Sequence, residues 1–219
     1  MIHIIIPVKE SRRLPGKNHF LAPYTFAWLA QELLHLREPH SVHIVGPMAE
    51  RPAAFPPPDI WPQYALTPRS MQEDMETITR HILHRDPAPL FIQILLTQPL
   101  REPGLLARTI AAARAADPTI PTITATNRIR TTWRTLDAHG THGDHPATAD
   151  DRELLLDGAA YAWQTIPALL RIFDKNAPKN ILERHGVPLC DIDYQEDIPH
   201  ALGSQWASLN FAPLTTRNS

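Results

Sequence analysis

Cysteine is nearly missing from this 219-residue chain, with Cys190 standing alone. A single cysteine excludes an internal disulfide framework and fits a reducing compartment. Glycine is scarce too, eight residues against 23 prolines, and neither an internal repeat nor a low-complexity tail is visible. The formal net charge is only −2. That excludes a generally basic coat for nucleic acid, so any anion must be bound locally. No apolar run approaches the roughly 20 residues that span a bilayer. The N-terminus enters an apolar strand without the basic and long hydrophobic segments of a secretory leader. Hydrophobic residues make up 43% and charged residues 20% of the chain, enough for a core and too little charge bias for disorder. The expectation is a cytoplasmic protein with one domain across 1–219.

What is present alternates. "IHIIIPV" (2–8) is a continuous apolar run rich in β-branched residues, as in a strand buried on both faces. "YTFAWLAQELLHLR" (24–37) has helical spacing and stops before Pro39. A strand "SVHIVG" (41–46), a helix over 70–85, a strand "LFIQILL" (90–96), a helix over 102–117 and a strand over 119–127 follow. Such alternation predicts an α/β fold: three layers, Rossmann-like, with a mostly parallel sheet and helices on both faces. The prolines gather in "PMAERPAAFPPPDIWP" (47–62), expected to run extended over the surface. Residues 128–157 break the pattern and read as β-rich edge structure and loop, a small inserted arm. "GAAYAW" (158–163) returns to the core, a short helix begins near Thr165, "VPLCDID" (187–193) is a last strand, and 196–209 would be the closing helix.

Two clusters invite chemistry. Four cations, Lys9, Arg12, Arg13 and Lys17, follow the first strand within nine residues, with Gly16 among them. Phosphates need backbone donors at close approach together with cations, and this loop can supply both. It is not a Walker A loop, because the upstream glycine and the hydroxyl residue after the lysine are missing. Asp191 and Asp193 alternate across Ile192. In a strand, residues i and i+2 face one side, so both carboxylates can reach one hard cation. Ligands of open α/β sheets sit beyond the carboxyl ends of the strands, where the cationic loop, "TQPLR" and "DID" would meet.

The residues "IIIPVKESRRLPGKN" resemble the N-terminal signature of the cytidylyltransferases that activate sialic acid and related 3-deoxy keto-sugars as CMP esters. That signature reads approximately I-P-A-R-x-x-S-x-R-L-P-G-K-N. Ser11, Arg13, Leu14, Pro15, Gly16, Lys17 and Asn18 fall on it, and Lys9 replaces the first arginine. "LLTQPLR" (95–101) resembles the family's L-Q-P-T-S-P-L-R, "DGAAYAW" its N-G-A-I-Y, and "CDIDYQEDIPHA" its I-D-I-D-x-x-E-D-x-x-x-A. The resemblance implies the nucleotide-diphospho-sugar transferase fold and CMP transfer from CTP to a small anionic acceptor, releasing pyrophosphate. It implies that Lys9, Ser11, Arg12, Arg13, Gly16, Lys17 and Asn18 bind the nucleotide. Lys17 and Arg13 would act in catalysis with Asp191 and Asp193, which would hold Mg2+. It implies Leu95, Thr97, Gln98, Arg101 and Arg152 at the acceptor, and a homodimer joined by the 128–157 arm.

This sequence departs from the pattern at the acceptor. Leu95 stands where the family has a sugar-contacting glutamine, and Gln98 replaces a serine. A smaller carboxylate or phosphonate acceptor is therefore an alternative to a keto-sugar acid. A degenerate homologue that binds nucleotide without turnover is another. The histidines His139, His142 and His145 could bind zinc, but their glycine-rich setting reads as a surface loop. Trp133 and Trp163 read as packing residues.

Overall fold

The computed structural model describes residues 1–8, 16–46, 63–65, 70–129, 132–136, 142–146 and 152–184. Nine strands and four helices lie within them: β1 (Ile2–Pro7), α1 (Lys17–His35), β2 (His40–Gly46), β3 (Gln63–Ala65), α2 (Met71–Leu83), β4 (Leu90–Gln93), α3 (Leu105–Ala115), β5 (Thr122–Ile129), β6 (Thr132–Leu136), β7 (His142–Pro146), β8 (Arg152–Trp163), α4 (Ile166–Phe173) and β9 (Asn180–Arg184). Seven strands form one sheet in the order β3-β2-β1-β4-β8-β5-β9, and β6 pairs with β7 separately. Every strand of the large sheet runs in one direction except β8, which is antiparallel to both its neighbours.

The sheet is central because β1 is apolar on both faces, and all six of its residues are buried. Period-two alternation divides them. Ile2, Ile4 and Ile6 join Leu21 and Leu29 of α1 and Leu106 and Ile110 of α3 in one core cluster. Ile5 joins Met75, Ile78 and Ile82 of α2 and Leu169 of α4 in the other. Each fully buried side chain of this size is worth about 1.5–3 kcal/mol of transfer free energy. The three layers follow, and the expected α/β architecture is the one observed.

The differences have local causes. Helix α1 begins at Lys17 instead of Tyr24, with Pro23 inside it. An interior proline removes one helical hydrogen bond and crowds the carbonyl four residues back, a cost that burial of Leu21 and Ala22 offsets. Strand β4 ends at Gln93, short of the expected Leu96. Strands β3 and β9 are too short or too alternating to stand out as buried runs. The histidine stretch is not all loop, since His142 and His145 lie in β7, paired with Leu136 and Trp133. Trp163 is 1% exposed, stacks on Phe91 and donates to the Thr79 hydroxyl, a packing role as expected. The proposed strand 187–193 and helix 196–209 lie outside the described residues.

Candidate active site

The common direction of the strands brings their carboxyl ends to one edge, and the antiparallel β8 delivers its amino half there. Strands β1 and β2 are locked together at this edge. The Val8 amide donates to the Val45 carbonyl at 2.8 Å. A Cβ on Gly46 would lie 2.0 Å from the Val8 carbonyl oxygen, a separation no side chain tolerates. The basic loop leaves from this fixed point and returns at Gly16, which caps α1 in the left-handed region with φ 77°. Only glycine adopts that conformation without strain.

Lys17 and Asn18 are the first two residues of α1, each 8% exposed. The first turn of α1 carries no acidic residue and no side-chain cap. The positive end of a 19-residue helix dipole therefore lies at Gly16, Lys17 and Asn18. That arrangement suits an anion. Lys9, Ser11, Arg12 and Arg13 belong to the same loop in sequence and lie outside the described residues, as do Asp191 and Asp193. Among the described residues, no group of three or more His, Cys, Asp or Glu is placed to hold a metal.

Across the edge, the turn after β4 carries the residues expected at the acceptor. The Gln98 amide donates to the Leu95 carbonyl at 3.3 Å, which forms the turn. Leu95 and Thr97 are half-buried, and Gln98 is 4% exposed. Gly158 of β8 sits against Leu95 with φ 66°. A Cβ there would meet the Tyr161 hydroxyl at 2.7 Å and Leu95 Cδ1 at 3.2 Å. Arg152 opens β8, paired with Ile129 of β5.

Arg101 is placed differently from a surface anion grip. It is 1% exposed. Its guanidinium donates to the Ala159 carbonyl at 3.1 Å and the Thr25 hydroxyl at 3.2 Å. It also donates to the Leu95 carbonyl and lies over the Trp28 ring. These contacts tie the turn to β8 and α1.

A second arginine was invisible in the sequence. Arg184, the last residue of β9, is 2% exposed. It donates to Asp157 at 2.6 Å, to Glu102 at 2.9 Å and to the Leu100 carbonyl at 2.5 Å. Asp157 also accepts from the hydroxyls of Thr124 at 2.6 Å and Thr126 at 2.5 Å and from the Ala159 amide at 3.0 Å. Burial alone would raise the Asp157 carboxyl, but Arg184 and these three donors outweigh it and hold the group below the ordinary carboxylate range. Asp157 was in view as the first residue of "DGAAYAW". Arg184 carried no signal, because a five-residue edge strand gave nothing to mark it.

No family model matches the chain, nor does any curated protein sequence. Solved structures do resemble it. Rv0371c of Mycobacterium tuberculosis H37Rv is similar with a TM-score of 0.58 and 15% identity over 93% of this chain and 98% of the other. CMP:2-keto-3-deoxy-manno-octonic acid synthetase complexed with CTP is similar at 0.56 and 15%, over 92% and 97%. The 4-diphosphocytidyl-2C-methyl-D-erythritol synthase of Anaerococcus prevotii is similar at 0.55 and 15%, over 93% and 95%. At these identities the likeness is one of architecture, and it extends across nearly the whole of both chains: the protein has the α/β fold that these structures share.

Proposed function

We propose that the chain is a CTP-dependent cytidylyltransferase that transfers CMP to a small anionic acceptor and releases pyrophosphate. The observation that carries this reading is that the basic signature runs straight into the amino end of α1, with Gly16, Lys17 and Asn18 at the turn and no acidic residue in the first turn. Two of the similar structures are described as synthases of cytidylylated products, one of them complexed with CTP, which supports the choice of nucleotide. Phosphoryl-group transfer gains mainly from positioning and charge stabilisation. In this reading Lys9, Ser11, Arg12, Arg13 and Lys17 neutralise the triphosphate and the departing pyrophosphate, and the positive end of the α1 dipole favours them there. Asp191 and Asp193 are the carboxylates that would hold Mg2+, a hard cation suited to oxygen donors, which when bound supplies charge neutralisation at the phosphates. Asn18 contacts the nucleotide beside Lys17. The enzyme works in the cytoplasm as a homodimer joined through 128–157. No helix among the described residues is long and apolar enough to cross a membrane.

The acceptor is small. Leu95 packs against Gly158 and beside Tyr161, and an alkyl side chain offers nothing to a sugar hydroxyl. A site must hydrogen-bond a polyhydroxylated substrate to select it, since an unpaired polar group is desolvated without return. A compact carboxylate or phosphonate, with Thr97, Gln98 and Arg152 as its polar contacts, suits this turn better than sialic acid. Pyrophosphate release assayed with CTP, Mg2+ and a panel of acidic acceptors tests the reading. Release that depends on both CTP and one acceptor supports it. CTP binding without turnover on any acceptor would favour the degenerate, non-catalytic alternative.

A further inference from the structure

We propose that Arg184 and Asp157 are positioning residues, a buried ionic clamp that sets the shape of the 95–101 turn and through it the fit of the acceptor. The catalytic half of this inference rests on the transferase reading above; the structural half does not.

The geometry is specific to that turn. Its two ends are both held by arginine: Arg101 takes the Leu95 carbonyl, and Arg184 takes the Leu100 carbonyl at 2.5 Å. Each arginine also reaches β8, Arg101 at the Ala159 carbonyl and Arg184 at the Asp157 carboxylate. Asp157 in turn fixes its own neighbour, Gly158, whose left-handed backbone lies against Leu95. One carboxylate therefore links β5 through Thr124 and Thr126, β8 through Ala159, and β9 through Arg184.

Burial makes the charge pattern obligatory. The side chains of Asp157 and Arg184 are each 1% exposed, so neither ion can fall back on water if the other is lost. Glu102 completes the chain, pairing with Arg184 on one side and with the more exposed Arg108 on the other. The resembling families' motif has asparagine where this chain has Asp157. An asparagine would leave Arg184 one negative charge short in a buried site. The aspartate and the arginine are thus a matched pair, and they belong to the acceptor side of the edge. The contacts of Asp157 and Arg184 lie on β5, β8, Glu102 and the Leu100 carbonyl, so variants of the clamp test acceptor fit apart from the Gly16–Asn18 turn.

The test compares Asp157→Asn and Arg184→Lys with Ile82→Ala, which loosens the core beneath α2 and touches neither side of the site. Amide hydrogen exchange on the intact protein reads the clamp directly. The expected result is a tenfold or greater loss of protection confined to 95–101 and 158–160 in the two clamp variants, with α2 unchanged. Calorimetric titration with CTP and Mg2+ should give a Kd within about twofold of the parent protein. With the best acceptor of the panel, the acceptor KM should rise at least tenfold while the CTP KM holds. Thr126→Val, which removes one hydroxyl from Asp157 and no charge, should reproduce the exchange pattern more weakly and serves where a clamp variant fails to fold. Exchange that rises evenly over the whole sheet, as in Ile82→Ala, would overturn the clamp. If no acceptor turns over in the parent protein, the transferase reading has failed, while the exchange result still decides the clamp.

Discussion

Lys17 is the one loop cation among the described residues, and it sits at the first position of α1 with 8% of its surface exposed. A cation at the positive end of a helix dipole adds to the local field that favours an anion. Lys17→Ala and Arg13→Ala should each weaken CTP binding by roughly 1.5–3 kcal/mol, the worth of a charge-assisted hydrogen bond. That is a Kd raised about ten- to a hundredfold in calorimetric titration. Unchanged affinity in both variants would remove the loop from the nucleotide site. Asp191→Asn and Asp193→Asn should abolish turnover with the thermal transition intact, since a neutral amide is a poor magnesium ligand. Near-parental rates at saturating Mg2+ in either variant would remove that residue from the metal site.

The elements themselves explain why much of this was legible beforehand. Apolar runs on both faces of β1 and helical spacing in α2 announce themselves, and Ser70 and Glu73 form the capping box that starts α2. The turn at Gly16 was legible because a backbone that needs glycine leaves a mark in sequence. The clamp was not, because it is made of residues brought together from β4's turn, β8 and β9, and no local pattern records such a meeting. Helix α3 makes the same point. Its start is capped from α1, with Glu32 accepting from the Gly104 and Leu106 amides at 2.7 and 2.9 Å, 72 and 74 residues away in sequence. Glu32→Ala should cost about 0.5–2 kcal/mol of stability by chemical denaturation, as losing a helix cap does. Gly46→Ala should cost more and also weaken CTP binding. The added methyl meets the Val8 carbonyl at 2.0 Å and must part β1 from β2 where the basic loop begins.

Over the whole molecule, the edge of the sheet opposite the site carries a titrating group of its own. His3 bonds Asp86 at 3.2 Å through Nε2 and His43 at 2.9 Å through Nδ1. With Asp86 ionised, His3 Nε2 donates to it, His43 Nε2 donates to His3 Nδ1, and His43 Nδ1 is left as a buried acceptor with no partner. Burial first, then the neighbouring His3 and His81, lower the His43 pKa to about 4. The folded state therefore holds His43 neutral, while the unfolded chain protonates it near pH 6.5. This contribution is complete above pH 6.5 and is lost as pH falls towards 4, up to about 3 kcal/mol. Urea midpoints from pH 7 to 4.5 should fall more steeply in the parent protein than in His43→Leu. Parallel profiles would contradict the assignment. The assembly is expected to be a homodimer, so light scattering at micromolar concentration should give twice the chain mass.

The central claim is that this edge of the sheet moves CMP from CTP to an acceptor. Pyrophosphate release, measured with each of the four nucleoside triphosphates, Mg2+ and the panel of acidic acceptors, tests it most directly. The account predicts release with CTP alone among the nucleotides, dependent on a compact carboxylate or phosphonate. It also predicts that N-acetylneuraminate falls below about 10⁴ M⁻¹s⁻¹ in kcat/KM, the lower end of the range enzymes show with their own substrates. Release that ignores the acceptor, prefers another nucleotide, or never occurs would contradict it.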